Sequence, residues 1–260
     1  MIDSHAHLGL ARADEAELVA EARRVGVTRI LTVGIDEESN REAVRAAHEF
    51  EGVFAAVGRH PNSAEGFDAE AAAAIEELAT DDAVRAIGET GLDYYRDSAS
   101  EESQVLAFEA QIGIARRTQL PLVIHVRDSS GPGSGRAVAD CFELLAAEAD
   151  GVEVILHCFS ATPERAEEAA GRGWHVSFAG NVTYPKSEEL RVAATLIPER
   201  QLLVETDSPY LAPQVVRGKP NRPANVTHTA EVVAEARGIG YEQLDAIVSE
   251  NAARLFGWSG

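Results

Sequence analysis

The chain has 260 residues, 45% of them hydrophobic and 25% charged, which excludes a disordered segment and supplies enough apolar material for one sizeable core. No apolar run approaches the roughly 18 residues of a membrane span, and Met1-Ile2-Asp3 runs directly into a strand pattern with no basic or apolar leader; a cytoplasmic protein with no membrane partner is expected. With 43 acidic against 23 basic residues the formal net charge is −20, which excludes whole-surface attraction to nucleic acid and leaves only a local basic cluster for any such binding.

Short apolar runs rich in β-branched residues predict strands at 1–5, 27–33, 53–58, 84–88, 122–125, 152–157, 175–178 and 202–205. Ala- and Glu-rich segments with helical spacing lie between them, among them 14–24, 37–51, 69–78, 101–117 and 163–172. Segments 221–240 and 241–256 read as two closing helices, and a Gly/Ser loop at 129–135 is the one flexible-looking interruption. Strand and helix alternating eight times, with each strand nearly continuous in hydrophobicity, describe a parallel sheet buried on both faces. The α/β fold expected is a single (β/α)8 TIM barrel over residues 1–260, since barrels of about 250 residues fold as one unit. A doubly wound open sheet is the alternative, but it would normally carry a Gly-rich turn after the first strand, where this chain has His5-Ala6-His7.

A barrel places its chemistry at the C-terminal mouth, so polar residues where strands run out are the ones to collect. They are His5 and His7 on the first strand, His60 on the third, Glu89 on the fourth, His125 on the fifth, His157 on the sixth and Asp207 on the eighth. His48, His175 and His228 fall on helices or inside the seventh strand. At a strand's two-residue period, His5 and His7 point the same way and can grip one metal, although an isolated His-x-His also fits two partly buried, hydrogen-bonded histidines. Six ligand-type groups at one mouth exceed the needs of one ion. Glu89 bridging a site of His5, His7 and Asp207 to a second of His125 and His157 would give a binuclear centre suited to hydrolysis. Asp207 is then both ligand and candidate general base, and Glu89 and Asp207 are the catalytic candidates.

Five segments carry a resemblance that spans nearly the whole chain: Ile2-Asp3-Ser4-His5-Ala6-His7-Leu8, Gly88-Glu89-Thr90-Gly91-Leu92-Asp93-Tyr94-Tyr95, Val123-Ile124-His125, His157-Cys158-Phe159-Ser160 and Glu205-Thr206-Asp207-Ser208-Pro209-Tyr210-Leu211-Ala212-Pro213. In order and spacing these resemble the TatD-type metal-dependent deoxyribonucleases of the amidohydrolase-like barrels. The resemblance implies metal ligation by His5, His7, Glu89, His125, His157 and Asp207, and hydrolysis of DNA phosphodiesters, expected to trim ends, by a hydroxide bridging two divalent ions. Magnesium or manganese is implied in turnover, while imidazole donors also suit zinc. The chain departs from the family at Gly58-Arg59-His60-Pro61-Asn62, which lacks a second histidine after the proline, and at Ala161, where a glycine is usual. Amidohydrolases bridged by a carboxylated lysine are disfavoured, because Glu89 fills that position and neither Lys186 nor Lys219, the only lysines, can replace it. An ester or amide hydrolase of the same superfamily, such as an aminoacyl-tRNA deacylase or a cyclic-amide hydrolase, is the alternative; a binding module on an inactive barrel fits less well, since every ligand position is filled.

For a DNA substrate the expected contacts are His60, Arg127 beside His125, and Arg217 and Lys219 in the loop after the eighth strand. Tyr94 and Tyr95 could stack on a base, but alternation lets at most one of them face it. Asp93, Arg96 and Glu205 are placed to orient ligands. Trp174, Phe178 and Trp258 read as core, and Cys141 and Cys158, with no CxxC spacing, as reduced small residues. The acidic excess suggests a halophilic protein whose self-repulsion is screened by salt. A monomer is compatible with all of these features.

Overall fold

The computed structural model describes residues 1–129 and 135–258; of the 129–135 loop, residues 130–134 lie outside this range. Among the described residues eight strands form one parallel sheet in sequential order: β1 (Ile2–Ala6), β2 (Arg29–Val33), β3 (Val53–Val57), β4 (Val84–Asp93), β5 (Leu122–Arg127), β6 (Val154–Leu156), β7 (His175–Phe178) and β8 (Leu202–Val204). A parallel bridge between Ala6 and Ser208 brings the last strand back to the first, so the sheet is a barrel. Side-chain caps begin the first four helices between strands. The Asp14 carboxylate accepts the Ala16 and Glu17 N–H groups at the start of α1 (Glu15–Arg24), and Asp36 and Ser39 cap each other reciprocally at α2 (Glu37–Glu49). The remaining α-helices are α3 (Ala69–Leu78), α4 (Glu101–Thr118), α5 (Arg136–Glu148), α6 (Pro163–Gly171), α7 (Glu188–Leu196), α8 (Val226–Arg237) and α9 (Tyr241–Phe256).

The two largest differences from the sequence expectation, in the fourth strand and the first closing helix, both bear on the mouth. The fourth strand does not stop at Gly88 but continues to Asp93, pairing Thr90 with Ile124 and Asp93 with Arg127 after a register shift beyond Ile87. Gly91 permits this: its φ of +138° suits only glycine, and a side chain there would collide with the His125 carbonyl. From α4, Gln104 accepts the Asp93 N–H (2.8 Å) and Gln111 donates to Thr90 Oγ1 (2.7 Å), so polar helix residues hold the extension. The first closing helix begins at Val226 rather than 221, because Asn221 is buried and spends its amide on the Thr206 carbonyl (2.8 Å).

The core matches its sequence reading. Trp258 stacks on Phe54 and Phe256, Trp174 meets Phe142 edge-on, Phe178 is fully buried, and both cysteines are free thiols. Among the described residues no helix is long and apolar enough to cross a membrane. Closure has a polar component: the buried Asp3 carboxylate accepts Thr206 N–H (2.9 Å) and Thr206 Oγ (2.6 Å), and burial pushes its pKa up to about 8. Asp3→Ala strands both donors, so urea unfolding should show a loss of about 1–3 kcal/mol per orphaned group; an unchanged midpoint would show that the seam does not need this carboxylate.

Candidate metal centre

At the mouth the strand ends deliver their polar side chains to one point, and that point is Glu89. Its Oε1 lies 2.7 Å from His125 Nδ1 and 2.8 Å from His157 Nε2, and its Oε2 lies 3.5 Å from His5 Nε2 and 3.6 Å from His7 Nε2. Asp207 Oδ1 is 3.5 Å from His7 Nε2 and 4.0 Å from His5 Nε2. The rings of His5 and His157, from opposite sides of the barrel, stack with centroids 3.9 Å apart. Three overlapping triads emerge with donor atoms within 4.8 Å of one another: His5, His7 and Asp207; His5, Glu89 and His157; and His60, Glu89 and His125. All six ligand candidates therefore converge.

Three of the ring nitrogens on the far side from the cluster are anchored, while His5 Nδ1 is buried without a partner. His7 Nδ1 donates to the Val33 carbonyl (2.8 Å), His157 Nδ1 faces Glu205 Oε1 (3.1 Å), and His125 Nε2 faces Asp93 Oδ2 (3.3 Å). Such outer contacts fix the ring and its tautomer and leave the inner nitrogen for a cation. The donor set fits divalent metal ions for a second reason. His5 Nε2 and His7 Nε2 approach to 3.2 Å, a distance that requires a proton or a cation between them.

Electrostatics carry the same message. Burial opposes ionisation of Glu89, but the charge of His157 and hydrogen bonds from His125 and His157 hold its carboxyl well below the usual range. Burial likewise opposes charge on His157, yet Glu89 and Glu205 push its pKa well above that of a free imidazole. His7 is raised against burial by Asp207 and Glu89, and His125 by Asp93 and Glu89. His5 is lowered by burial and by His157, and His60 falls to about 3 through burial and the neighbouring His125. Burial works against Asp207 as well, but His7 and His157 keep it ionised. Protons thus hold the places that cations would take.

Above the cluster lies a cavity of about 810 Å³, whose wall includes His60, Tyr95, Arg127, Asn181 and Tyr210. Arg127 stacks on the Tyr95 ring at 3.9 Å, and Tyr95 is 55% exposed. Tyr94 turns away and donates to Asp140 (3.1 Å), as strand alternation requires. Arg217 and Lys219 do not line the cavity: both are exposed, and Arg217 stacks on Tyr184 at 4.2 Å. The loop that carries them is tied at a short turn, Gln214–Val216, whose first N–H donates to Thr183 (2.8 Å) beyond the seventh strand. Asn62 was visible in the sequence only as a departure, yet its amide donates to Asp93 Oδ2 (3.1 Å), the same oxygen that faces His125. The Val33 carbonyl, being backbone, left no trace in the sequence.

A barrel with this cluster at its mouth is a metal-dependent hydrolase. Residues 2–257 match the model of the TatD related DNase family. A metal-dependent hydrolase of Bacillus subtilis, YabD, itself uncharacterized, is 36% identical over 259 residues, 98% of either chain. The 3′-5′ ssDNA/RNA exonuclease TatD of Cronobacter sakazakii is 35% identical over 249 residues, covering 94% of this chain and 92% of that one. The crystal structure of YjjV, a TatD homologue from Escherichia coli, superposes with a TM-score of 0.90 at 25% identity, over 100% of this chain and 98% of the other. The chain belongs to the TatD family.

Because His7, His125 and His157 are all raised above 6.5, cation binding must displace protons, and affinity should climb as pH rises above that value. Manganese titrations by calorimetry in two buffers of different ionisation heat should report net proton release; no release would contradict the protonated cluster. Without metal the sign reverses for stability. Raised histidine pKa values stabilise the fold fully below pH 6.5 and progressively less as pH climbs through the folded values.

Proposed function

We propose that this enzyme is an exonuclease that removes nucleotides from the 3′ end of single-stranded DNA or RNA, as the Cronobacter relative's name describes for that protein. The observation that carries this reading is the meeting of two donor groups, His5, His7 and Asp207 on one side and His125 and His157 on the other, on the single carboxylate of Glu89. Two divalent ions, magnesium or manganese in turnover with zinc also suited to the imidazole donors, would lower the pKa of water and neutralise charge on a phosphodiester. Asp207, kept ionised by His7 and His157, is poised to orient the attacking water and accept its proton. Arg127 supplies a guanidinium for phosphate and Tyr95 an exposed ring for a base. A single strand offers its bases to such a ring, whereas a duplex keeps them stacked on each other.

A 5′-labelled single-stranded oligonucleotide with added manganese should yield a ladder shortening from the 3′ end, and chelation should stop it. Asp207→Asn should lower kcat by about 10²–10⁴-fold, the usual reach of a positioned base. The parental rate in saturating metal would overturn the role given to Asp207.

We also propose that the protein works in the cytoplasm of a salt-loving cell, on the strength of its −20 net charge. Screening shortens from about 10 Å at 0.1 M to about 3 Å at 1 M, so self-repulsion is relieved only in concentrated salt. The melting temperature should rise as potassium chloride approaches molar concentration; a flat or falling curve would refute adaptation to salt.

A further inference from the structure

Of the histidines at the mouth, His60 differs in what its ring nitrogens can do. It sits at the start of a short helical turn, Pro61–Ser63, as its N-cap. Pro61 has no N–H, so the first backbone donor of the turn is that of Asn62, and it is directed at His60 Nδ1 (3.0 Å). A nitrogen that accepts a hydrogen bond bears no proton, so the proton of this imidazole is on Nε2. Nε2 faces the cluster. Its contact with Glu89 Oε1 is long at 3.5 Å, while that oxygen is already engaged by His125 (2.7 Å) and His157 (2.8 Å).

Both lone-pair positions of His60 are accounted for, one accepting from the backbone and the other carrying a hydrogen. The triad of His60, Glu89 and His125 therefore has only two members able to hold a cation. The edge-to-face contact with the His125 ring, at 4.4 Å, and a side chain only 13% exposed keep the imidazole from turning over. The N–H faces the Glu89 carboxylate at long range, beside the cavity that both residues line.

We propose that His60 is not a metal ligand but a fixed N–H donor that binds a non-bridging phosphoryl oxygen of the substrate and strengthens its hold as charge develops there. The occupant, an anionic phosphoryl oxygen, rests on the nuclease reading; the exclusion of His60 from the metal does not. Asn62 acts through it as a positioning residue, since its backbone N–H sets the tautomer. This gives a physical purpose to the His-Pro-Asn run that follows the third strand.

The test has three arms. In the metal-free protein, proton–nitrogen correlation of labelled histidine, assigned by loss of the signal in His60→Gln, should show Nε2 protonated and Nδ1 bare; the opposite pattern overturns the proposal. Calorimetric titration of His60→Ala and His60→Gln with manganese should return the wild-type stoichiometry and affinity, and loss of one equivalent in either would make His60 a ligand. On a single-stranded oligonucleotide, His60→Ala should lose about 10²–10³-fold in kcat, the cost of one such donor. His60→Gln, whose amide N–H can stand near the Nε2 position, should recover part of that loss. An unchanged kcat in His60→Ala would remove the donor role. If the wild type fails to cut the oligonucleotide, the nuclease reading falls, while the first two arms still decide whether His60 touches metal.

Discussion

Taking a carboxylate out of water costs several kcal/mol unless opposite charge surrounds it, and Glu89 is only 3% exposed at the mouth of the barrel. The first strand contributes His5 and His7, the fifth His125 and the sixth His157, each with a nitrogen turned toward this one side chain. The rest of the site follows from satisfying that charge. Histidines that pair with a buried anion acquire raised pKa values, need their far nitrogens fixed, and draw in Asp93, Glu205 and the Val33 carbonyl to do so. A cluster held by protons in one state and by cations in another is the natural result.

Much of this was legible from the residue order. Parallel strands buried on both faces appear as short continuous apolar runs, and a histidine or carboxylate where such a run ends is conspicuous because nothing in core packing calls for it. Features that depend on three dimensions were not legible. The fourth strand was expected to end at Gly88, yet Gly91 lets β4 run past Glu89 along β5, because only a residue without a side chain can pass the His125 carbonyl. Arg217 and Lys219 were expected at the substrate because they follow Asp207 closely, but they lie outside the cavity wall, and Arg217 spends its guanidinium on the Tyr184 ring. The tautomer of His60 depends on a backbone donor two residues on, a relation with no composition signal beyond the His-Pro pair itself.

The acidic surface and the site impose opposite demands on a polyanionic ligand. Arg127 and Arg96 both lie over the Tyr95 ring, at 3.9 and 5.6 Å, so the positive charge available at the rim is concentrated on one exposed aromatic. If the proposed nucleic-acid substrate is bound in concentrated salt, long-range attraction contributes little, and stacking, hydrogen bonds and metal coordination would do the holding. Recognition then depends on shape at close range.

The seam between β1 and β8 also fixes when the enzyme comes into being. Asp207 donates its backbone N–H to the His5 carbonyl (2.9 Å), and Thr206 bonds Asp3 across 203 positions of chain. Contacts of such separation form late, since the entropy of closing so large a loop must be met first. A nascent chain emerging from the ribosome carries its first histidines long before the aspartate that completes their pocket. Fragments released by premature termination before that point would hold an incomplete centre, so the hydrolase would be assembled only after the codon for Asp207 has been read.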